Sequence, residues 1–374
     1  MLFPLHLVSW HAFAAIQTVP RHGNKFLVRQ HPSHSRIGPK ARMSSMDEIP
    51  NLLASTHPDS NTYIGPVEVA PSKILGDDVS CGNGLFVTRS ISMHELLFSI
   101  GPTTDAIISL QTATKDVDCG EAFRELSKLG NAGSQTVALA GWLAKTRICD
   151  LIDGDDSIRK RPDDFNVAYV RALPWSPEDQ DHVIWWRQEE ADRLLEGSIM
   201  YEEATLIRTQ VLSAFPLLAS IIMPVIQPRV EANAEGLKRR LGFEEEMDTD
   251  FVCNFLLSTY LRGAFVILMT RSFDDSLGLG GEREEESRLV PVLDTLQHTT
   301  GDPNVYHVYD SDNDCLEVFA ARDLAEGDEL VLTYHDDMSK EVFGSRFGFV
   351  PGEAKSVRIL LEEKNAMLFP SVVV

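Results

Sequence analysis

The chain has 374 residues, 43% of them hydrophobic, with five cysteines and a formal net charge of −22. That length can bury one large core or two smaller ones, and the charge excludes direct binding of a phosphate backbone by the body of the chain while favouring a basic partner. Cys81, Cys119, Cys149, Cys253 and Cys315 form no C-x-x-C pair, which argues against a disulfide framework or zinc cluster and for a reducing intracellular compartment; no uninterrupted apolar run reaches the ~20 residues that cross a bilayer.

Residues 1–60 read as an extension. Residues 1–42 carry six Lys or Arg, five His and no acid, so all 56 acidic residues lie in 43–374. A secretory signal places positive charge before its apolar stretch, whereas here Leu2 to Ile16 is apolar and the basic residues begin at Arg21. The missing acids fit a mitochondrial presequence whose helix Pro4 and Pro20 would limit. Translation from Met43 or Met46 accounts for the same pattern and leaves the cytoplasm or nucleus as the location.

Residues 61–105 are predicted as short strands, with Leu85-Phe86-Val87 after a glycine pair and Glu95 to Ile100 ended by Gly101-Pro102. The period then changes. Val137, Ala140, Ala144, Ile148 and Leu151 are three or four apart and share a helix face. Ser176-Pro177-Glu178-Asp179 reads as a helix start, serine capping and acids at the positive end of the dipole, and its helix is predicted to run through Trp185 and Trp186 toward Leu195. Further helices are predicted over Ala204 to Phe215 and over Phe251 to Met269, where Phe251, Phe255, Thr259, Arg262 and Val266 share a face. After an acidic, glycine-rich loop (Gly278 to Glu286) strand signals return. Val305 to Tyr309 and Leu316 to Phe319 flank a turn as a hairpin, Glu329 to Thr333 is a further strand, and Lys340 to Arg346 a short helix. The expected fold class is α+β: a core of short strands in 61–105 and 251–350, interrupted by a helical insert at 106–250 and followed by a short tail at 351–374.

Five segments carry recognisable motifs. Gly82-Asn83-Gly84-Leu85-Phe86 is a glycine turn entering a strand. Asn166 to Pro174 reads NVAYVRALP, Leu261 to Phe265 reads LRGAF, and Val290 to His298 reads VPVLDTLQH. Gly327 to Tyr334 reads GDELVLTY and is followed by RFGFV at Arg346 to Val350. In this order they resemble the G-x-G turn, the pY-x-x-x-LP element, the SRAF helix, vPxxDxxNH and GeEl…sY…YGFv of the SET domain, in the branch of the Rubisco large-subunit lysine methyltransferase. The resemblance implies a SET-domain β-fold, S-adenosylmethionine (SAM) as cofactor, no metal, and methylation of a lysine on a non-histone protein. It implies that Gly82, Asn83, Gly84, Leu85, Gln297, His298 and Tyr334 hold the cofactor, that Tyr334 is catalytic, and that Asp294 and Phe347 line the channel of the substrate lysine. A catalytically silent SET-fold interaction module and a histidine methyltransferase stand as alternatives. The chain departs from the family pattern at Gln297 (family Asn), Gly263 (the SRAF arginine), Asn83 (a frequent arginine), His335 (Gly) and Phe347 (a second tyrosine).

Chemistry gives these residue types a reason. Methyl transfer to an amine is an in-line displacement, and alignment in a narrow channel can supply ~7 kcal/mol. An apolar channel disfavours charged lysine and brings its pKa toward neutrality. A phenol orients the amine without competing as a strong base. With phenylalanine at 347 one hydroxyl is lost and space is left for a further methyl, so di- or trimethylation is expected. The sequence contains no G-x-S-x-G, P-loop or H-E-x-x-H motif, and Cys81 has no histidine partner in sequence.

Overall fold

The structure, a computed structural model, describes residues 46–56, 62–74, 82–129, 133–154, 165–242, 248–273, 287–335, 338–352 and 355–368. The expectations for residues 1–45, for Cys81 and for the loop at Gly278 to Glu286 fall outside the described residues.

The predicted hairpin forms between β6 (Val305–Asp310) and β7 (Cys315–Ala320), in register from Val305↔Ala320 to Asp310↔Cys315. Next to β7 lie β4 (Leu96–Ile100) and then β1 (Tyr63–Ile64), giving a sheet of order β1-β4-β7-β6. The second sheet has the order β2-β3-β8-β5. Its β3 (Asn83–Val87) pairs antiparallel with β2 (Val67–Pro71) and with β8 (Glu329–Leu332), and β5 (Gln297–His298) runs parallel to β8. Each sheet therefore joins strands from before and after the helical region, and the chain folds as the α+β architecture expected.

Between the strand blocks lie α2 (Thr103–Ala106), α3 (Leu110–Thr114), α4 (Gly120–Ser127), α5 (Ser134–Asp153), α6 (Phe165–Ala172), α7 (Gln188–Leu195), α8 (Tyr201–Leu241) and α9 (Thr249–Arg271). A helix α1 (Ile49–Thr56) precedes the strands, and α10 (Lys340–Phe347) and α11 (Val357–Leu368) follow them. The predicted stripe on α5 is buried at Val137, Ala140, Ala144 and Ile148. So is most of the rest of that helix, because α4, α6, α8 and α9 all pack on it. Lys145 sits in this wall and is held by Asp116 at 2.9 Å and Asp118 at 2.8 Å. Burial opposes its charge, but the two carboxylates more than compensate and its pKa is raised.

Two helical expectations change. The stretch predicted to end at Phe215 continues through Pro216, Pro224 and Pro228 and spans 41 residues in all, with a kink at Asn233, where φ −120° and ψ 17° leave the helical region. Proline breaks a helix by freeing the carbonyl four residues back. Here Leu212, Ser220 and Pro224, which carry those carbonyls, are solvent-exposed like the prolines themselves, so water can satisfy the freed groups. The inner stripe of Leu218, Ile222, Ile226 and Val230 stays buried. By length and composition α8 and α9 are both apolar enough to cross a membrane; the most apolar window of α9 is 61% buried in the fold and that of α8 33%. On α9 the core takes Val252, Leu256, Leu261, Ala264, Phe265 and Leu268, whereas Phe255, on the face singled out from sequence, is 38% exposed.

The helix expected from Ser176 through the tryptophans does not form. Ser176 binds Asp179 as a cap would, but residues 176–187 are turns, and the helix starts only at Gln188. Side-chain bonds to other elements override local preference. Trp186 donates its indole N–H to Asp181, Asp181 accepts from Arg358 of α11, and His182 donates Nε2–H to the Arg346 carbonyl of α10 at 2.9 Å. The His182 Nδ1 accepts from the Ile184 amide at 3.2 Å, which fixes the neutral tautomer.

Burial pushes the His182 imidazole down to about 4 from 6.5. Between those values the unfolded chain binds the extra proton, so stability falls with falling pH, by about 2 kcal/mol from pH 7.5 to pH 5. Denaturant titrations at both pH values should show that loss for the wild type and a smaller one for His182→Gln. Equal losses in the two proteins would contradict the assignment.

Candidate active site

The glycine turn leads into β3 with Gly82 at φ 85°, a region that disfavours a side chain, and with no heavy atom within 4 Å of where a Cβ would stand. Gly84 is required for a different reason: a Cβ there would collide with the Glu329 carboxylate of β8. That carboxylate is fixed, accepting from Ser72 Oγ at 2.6 Å and from the Lys73 amide at 2.8 Å. Leu85 is fully buried beneath the turn and faces Leu330 across the ladder.

Gln297 lies on β5, and its Nε2 donates to the Asn83 carbonyl at 2.7 Å, closing the gap between two motifs 214 residues apart in sequence. The longer side chain at a position where the resemblance expects asparagine is thus accommodated by reaching the turn itself. His298, the next residue, is buried and accepts the Tyr334 amide on Nδ1 at 3.2 Å. The Tyr334 hydroxyl donates to the Leu296 carbonyl at 2.7 Å. Strand β5 and Tyr334, the second residue after β8, are therefore locked by backbone, imidazole and phenol together.

An aromatic wall surrounds this junction. Ring centroids lie 5.2 Å apart for His298 and Tyr334, 4.8 Å for His298 and Phe343, and 5.3 Å for Tyr334 and Phe347. Phe343 and Phe347, one turn apart on α10, are 4.4 Å from one another and both buried. Ser339 caps that helix by accepting the Val342 amide, and Gly348 ends it in the left-handed region.

Asp294 is placed behind the junction. It is buried, accepts Tyr169 Oη at 2.8 Å, and pairs with Arg271 at 3.3 Å; Arg271 also donates to the Asp294 carbonyl at 3.0 Å. Burial raises its pKa, Arg271 and Tyr169 opposing, and the same burial drives the Tyr169 phenol well upward. The other carboxylate oxygen, Oδ1, is buried with no hydrogen-bond partner among the described residues. Asp294 thus ties α6 and the end of α9 to the segment that carries Leu296 and Gln297. Just before it Val292 takes φ 72°, ψ −52°, a strained turn for a β-branched residue, held by Thr295 Oγ1 donating to its carbonyl at 2.5 Å.

Among the predicted residues, Asn83, Gln297, His298, Tyr334 and Phe347 meet around one junction, while Asp294 supports it from the helical side. Sequence reasoning missed Arg271, Tyr169 and Phe343 as its anchors. Tyr169 stood inside the NVAYVRALP motif, so its signal was available; a lone arginine ending an apolar helix gave none. The expected SRAF arginine is excluded sterically: a Cβ on Gly263 would lie 2.8 Å from the Trp175 ring, which occupies that space and donates its indole N–H to the Val170 carbonyl at 2.6 Å. Gly263→Ala is accordingly expected to cost about 1–3 kcal/mol by overpacking, read from the denaturation midpoint, and Trp175→Leu should relieve part of that cost in the double variant. Additive losses would show that the two positions do not touch. Burial holds the thiols of Cys119, Cys149 and Cys253 near 11, so none of the three is a nucleophilic thiolate at neutral pH.

The residues suit SAM. The open space at Gly82 would leave its amino-acid end room to approach the backbone, and the oxygens of Asn83, Leu296 and Tyr334 are acceptors of the kind that a cationic sulfonium would attract.

Comparisons with solved structures bear on the fold. The chain overlays on the SET domain of LSMT bound to lysine and AdoHcy with a TM-score of 0.51 at 18% identity, covering 81% of this chain and 57% of that one. It overlays equally on Rubisco LSMT bound to sinefungin and monomethyllysine, again with a TM-score of 0.51 at 18% identity, covering 82% and 57%. The likeness is one of fold, and the chain spans 57% of the length of these structures. No curated protein matches the sequence. A family model described as SET domain matches residues 82–335. That match starts at the glycine turn, runs through the helical insert and ends beside Tyr334; it covers more than half of the chain, which belongs to the SET-domain family.

Proposed function

We propose that the protein is a SAM-dependent protein-lysine N-methyltransferase acting on a basic, non-histone protein. The observation that carries the reading is the meeting of the Tyr334 hydroxyl, the Leu296 carbonyl and the Gln297–Asn83 bond at one junction. Solved relatives of the same fold hold lysine with AdoHcy and monomethyllysine with sinefungin.

SAM, when bound, supplies a methyl carbon made electrophilic by its sulfonium. Gly82, Asn83, Gln297 and His298 would hold it. The oxygens of Tyr334 and the Leu296 carbonyl would face the methyl and the incoming amine, and the aromatic wall of Phe343 and Phe347 would limit water and disfavour the ammonium form. The substrate ammonium gives one proton to solvent and reaches the site as the neutral amine, and each methylated ammonium must lose another proton to solvent before a further transfer. Phe347 offers no hydroxyl, so an amine already methylated is not held in one orientation, and the product is di- or trimethyl-lysine. Tritiated-methyl transfer into a lysate, followed by mass spectrometry of the labelled band, tests both points. Labelled di- or trimethyl-lysine is expected; label on histidine, or monomethyl-lysine alone, would contradict the reading.

A second reading, a silent SET-fold interaction module, rests on the Trp175 ring standing where the SRAF arginine is expected. Absence of both SAM binding and methyl transfer would favour it.

A further inference from the structure

The turn end of the β6–β7 hairpin gathers a second set of reactive side chains, on the sheet that carries neither Gln297 nor His298. Asp310 and Cys315 are partners across the ladder, and Glu317 follows Cys315 by two, so all three side chains leave the sheet on one face. The Cys315 Sγ and one carboxylate oxygen each of Asp310 and Glu317 lie within 4.8 Å of one another. Two half-buried carboxylates alone would be an ordinary solvated pair. The thiol is a separate observation: Cys315 is only 2% exposed, and its Sγ has no hydrogen-bond partner among the described residues although it stands this close to both acids. The charges that act on the sulfur come from Glu317, Asp310 and Asp314, all negative, and among the described residues no cationic side chain pairs with any of the three. Three donors around one point, one of them buried and unpartnered, with no cation to balance them, suit a metal ion.

The surroundings hold the donors in place. A Cβ on Gly101 would come within 2.7 Å of the Cys315 Cβ, so the chain after β4 backs the cysteine closely. Asp310 accepts the Asp312 amide on Oδ1 at 2.9 Å and the Asn313 side-chain amide on Oδ2 at 2.6 Å, which orients the carboxylate and leaves further lone pairs free. Asp314 is engaged elsewhere, its Oδ1 accepting from Thr103 Oγ1 at 2.5 Å and Tyr309 Oη at 3.1 Å. Bonds of ~2.0–2.3 Å to zinc put tetrahedral donors ~3.5 Å apart, so the three would close by about 1 Å on binding. A sulfur donor selects zinc over magnesium or calcium.

We infer that Asp310, Cys315 and Glu317 bind one zinc ion across the hairpin, with water as the fourth ligand. This is a mixed thiolate–carboxylate site within one hairpin, unlike the cysteine clusters that the spacing of the five cysteines excludes. Binding expels the thiol proton to solvent, and the thiolate bonds the metal. Cobalt(II) is the probe, added to the full chain under a non-thiol reductant, because a thiolate ligand gives a sulfur-to-cobalt charge-transfer band that carboxylates and imidazoles do not. The band is expected in the wild type and lost in Cys315→Ser, while Cys253→Ser and Cys81→Ser keep it. Zinc displacing the band reads the affinity of this site alone, whatever the five histidines of residues 1–42 bind. Glu317→Gln and Asp310→Asn should each weaken that affinity about tenfold or more, and since Glu317 makes no hydrogen bond or ion pair among the described residues its variant should fold as the wild type does. No charge-transfer band, a band that survives Cys315→Ser, or a zinc affinity indifferent to Glu317→Gln would overturn the site.

Discussion

Tyr334→Phe is expected to lower methyl transfer by about 10²-fold or more while changing SAM affinity little. The variant keeps the ring against Phe347 and His298 and loses only the hydroxyl that meets the Leu296 carbonyl at 2.7 Å. Losing that anchor frees the ring and removes one of the oxygens that align amine and methyl, and a misplacement of ~1 Å can cost about 10²-fold. Single-turnover rates with saturating SAM would report the chemical step, and calorimetry the affinity. A variant with unchanged turnover would remove Tyr334 from the catalytic role. One that lost SAM binding altogether would make its role structural.

Asp294→Ala is expected to be the most damaging single change to stability, at about 3–5 kcal/mol. It removes the acceptor from a buried phenol and the partner from Arg271, and breaking a buried pair on one side leaves an uncompensated charge. Asp294→Asn keeps an acceptor for Tyr169 and should cost less. Urea unfolding with tryptophan fluorescence would rank the two. Because Asp294 also holds the segment carrying Leu296 and Gln297, the alanine variant should bind SAM more weakly even where it remains folded. Unfolding midpoints within a few tenths of a molar of the wild type would show that the buried pair contributes little.

Much of the β core could be read from the chain because its signals are local. Alternation in Val305 to Phe319, the glycine turn at 82–84 and the apolar run ending at Gly101 each specify a strand or a turn without help from elsewhere. The residues that meet at the junction were legible through motif order, which stands for a convergence that no local pattern contains: nothing in Gln297 by itself predicts a bond to the Asn83 carbonyl. Where expectation and structure part, tertiary contacts outweigh local rules. Ser176-Pro177-Glu178-Asp179 has every feature of a helix start, yet Asp181, His182 and Trp186 are bound to α10, α11 and one another, and the segment stays in turns. Pro216 marks a stop that the helix ignores because the proline and the carbonyl it frees face water. Gly263 marks a missing arginine, and only the structure shows the Trp175 ring in its place.

The central claim is that the glycine turn, Gln297-His298 and Tyr334 form one cofactor site. Isothermal titration of the full chain with SAM tests it most directly, with Gln297→Ala as the comparison. Saturable one-to-one binding is predicted, weakened about tenfold when the Gln297–Asn83 bond is lost. No heat of binding at millimolar SAM, or an affinity indifferent to Gln297, would contradict it.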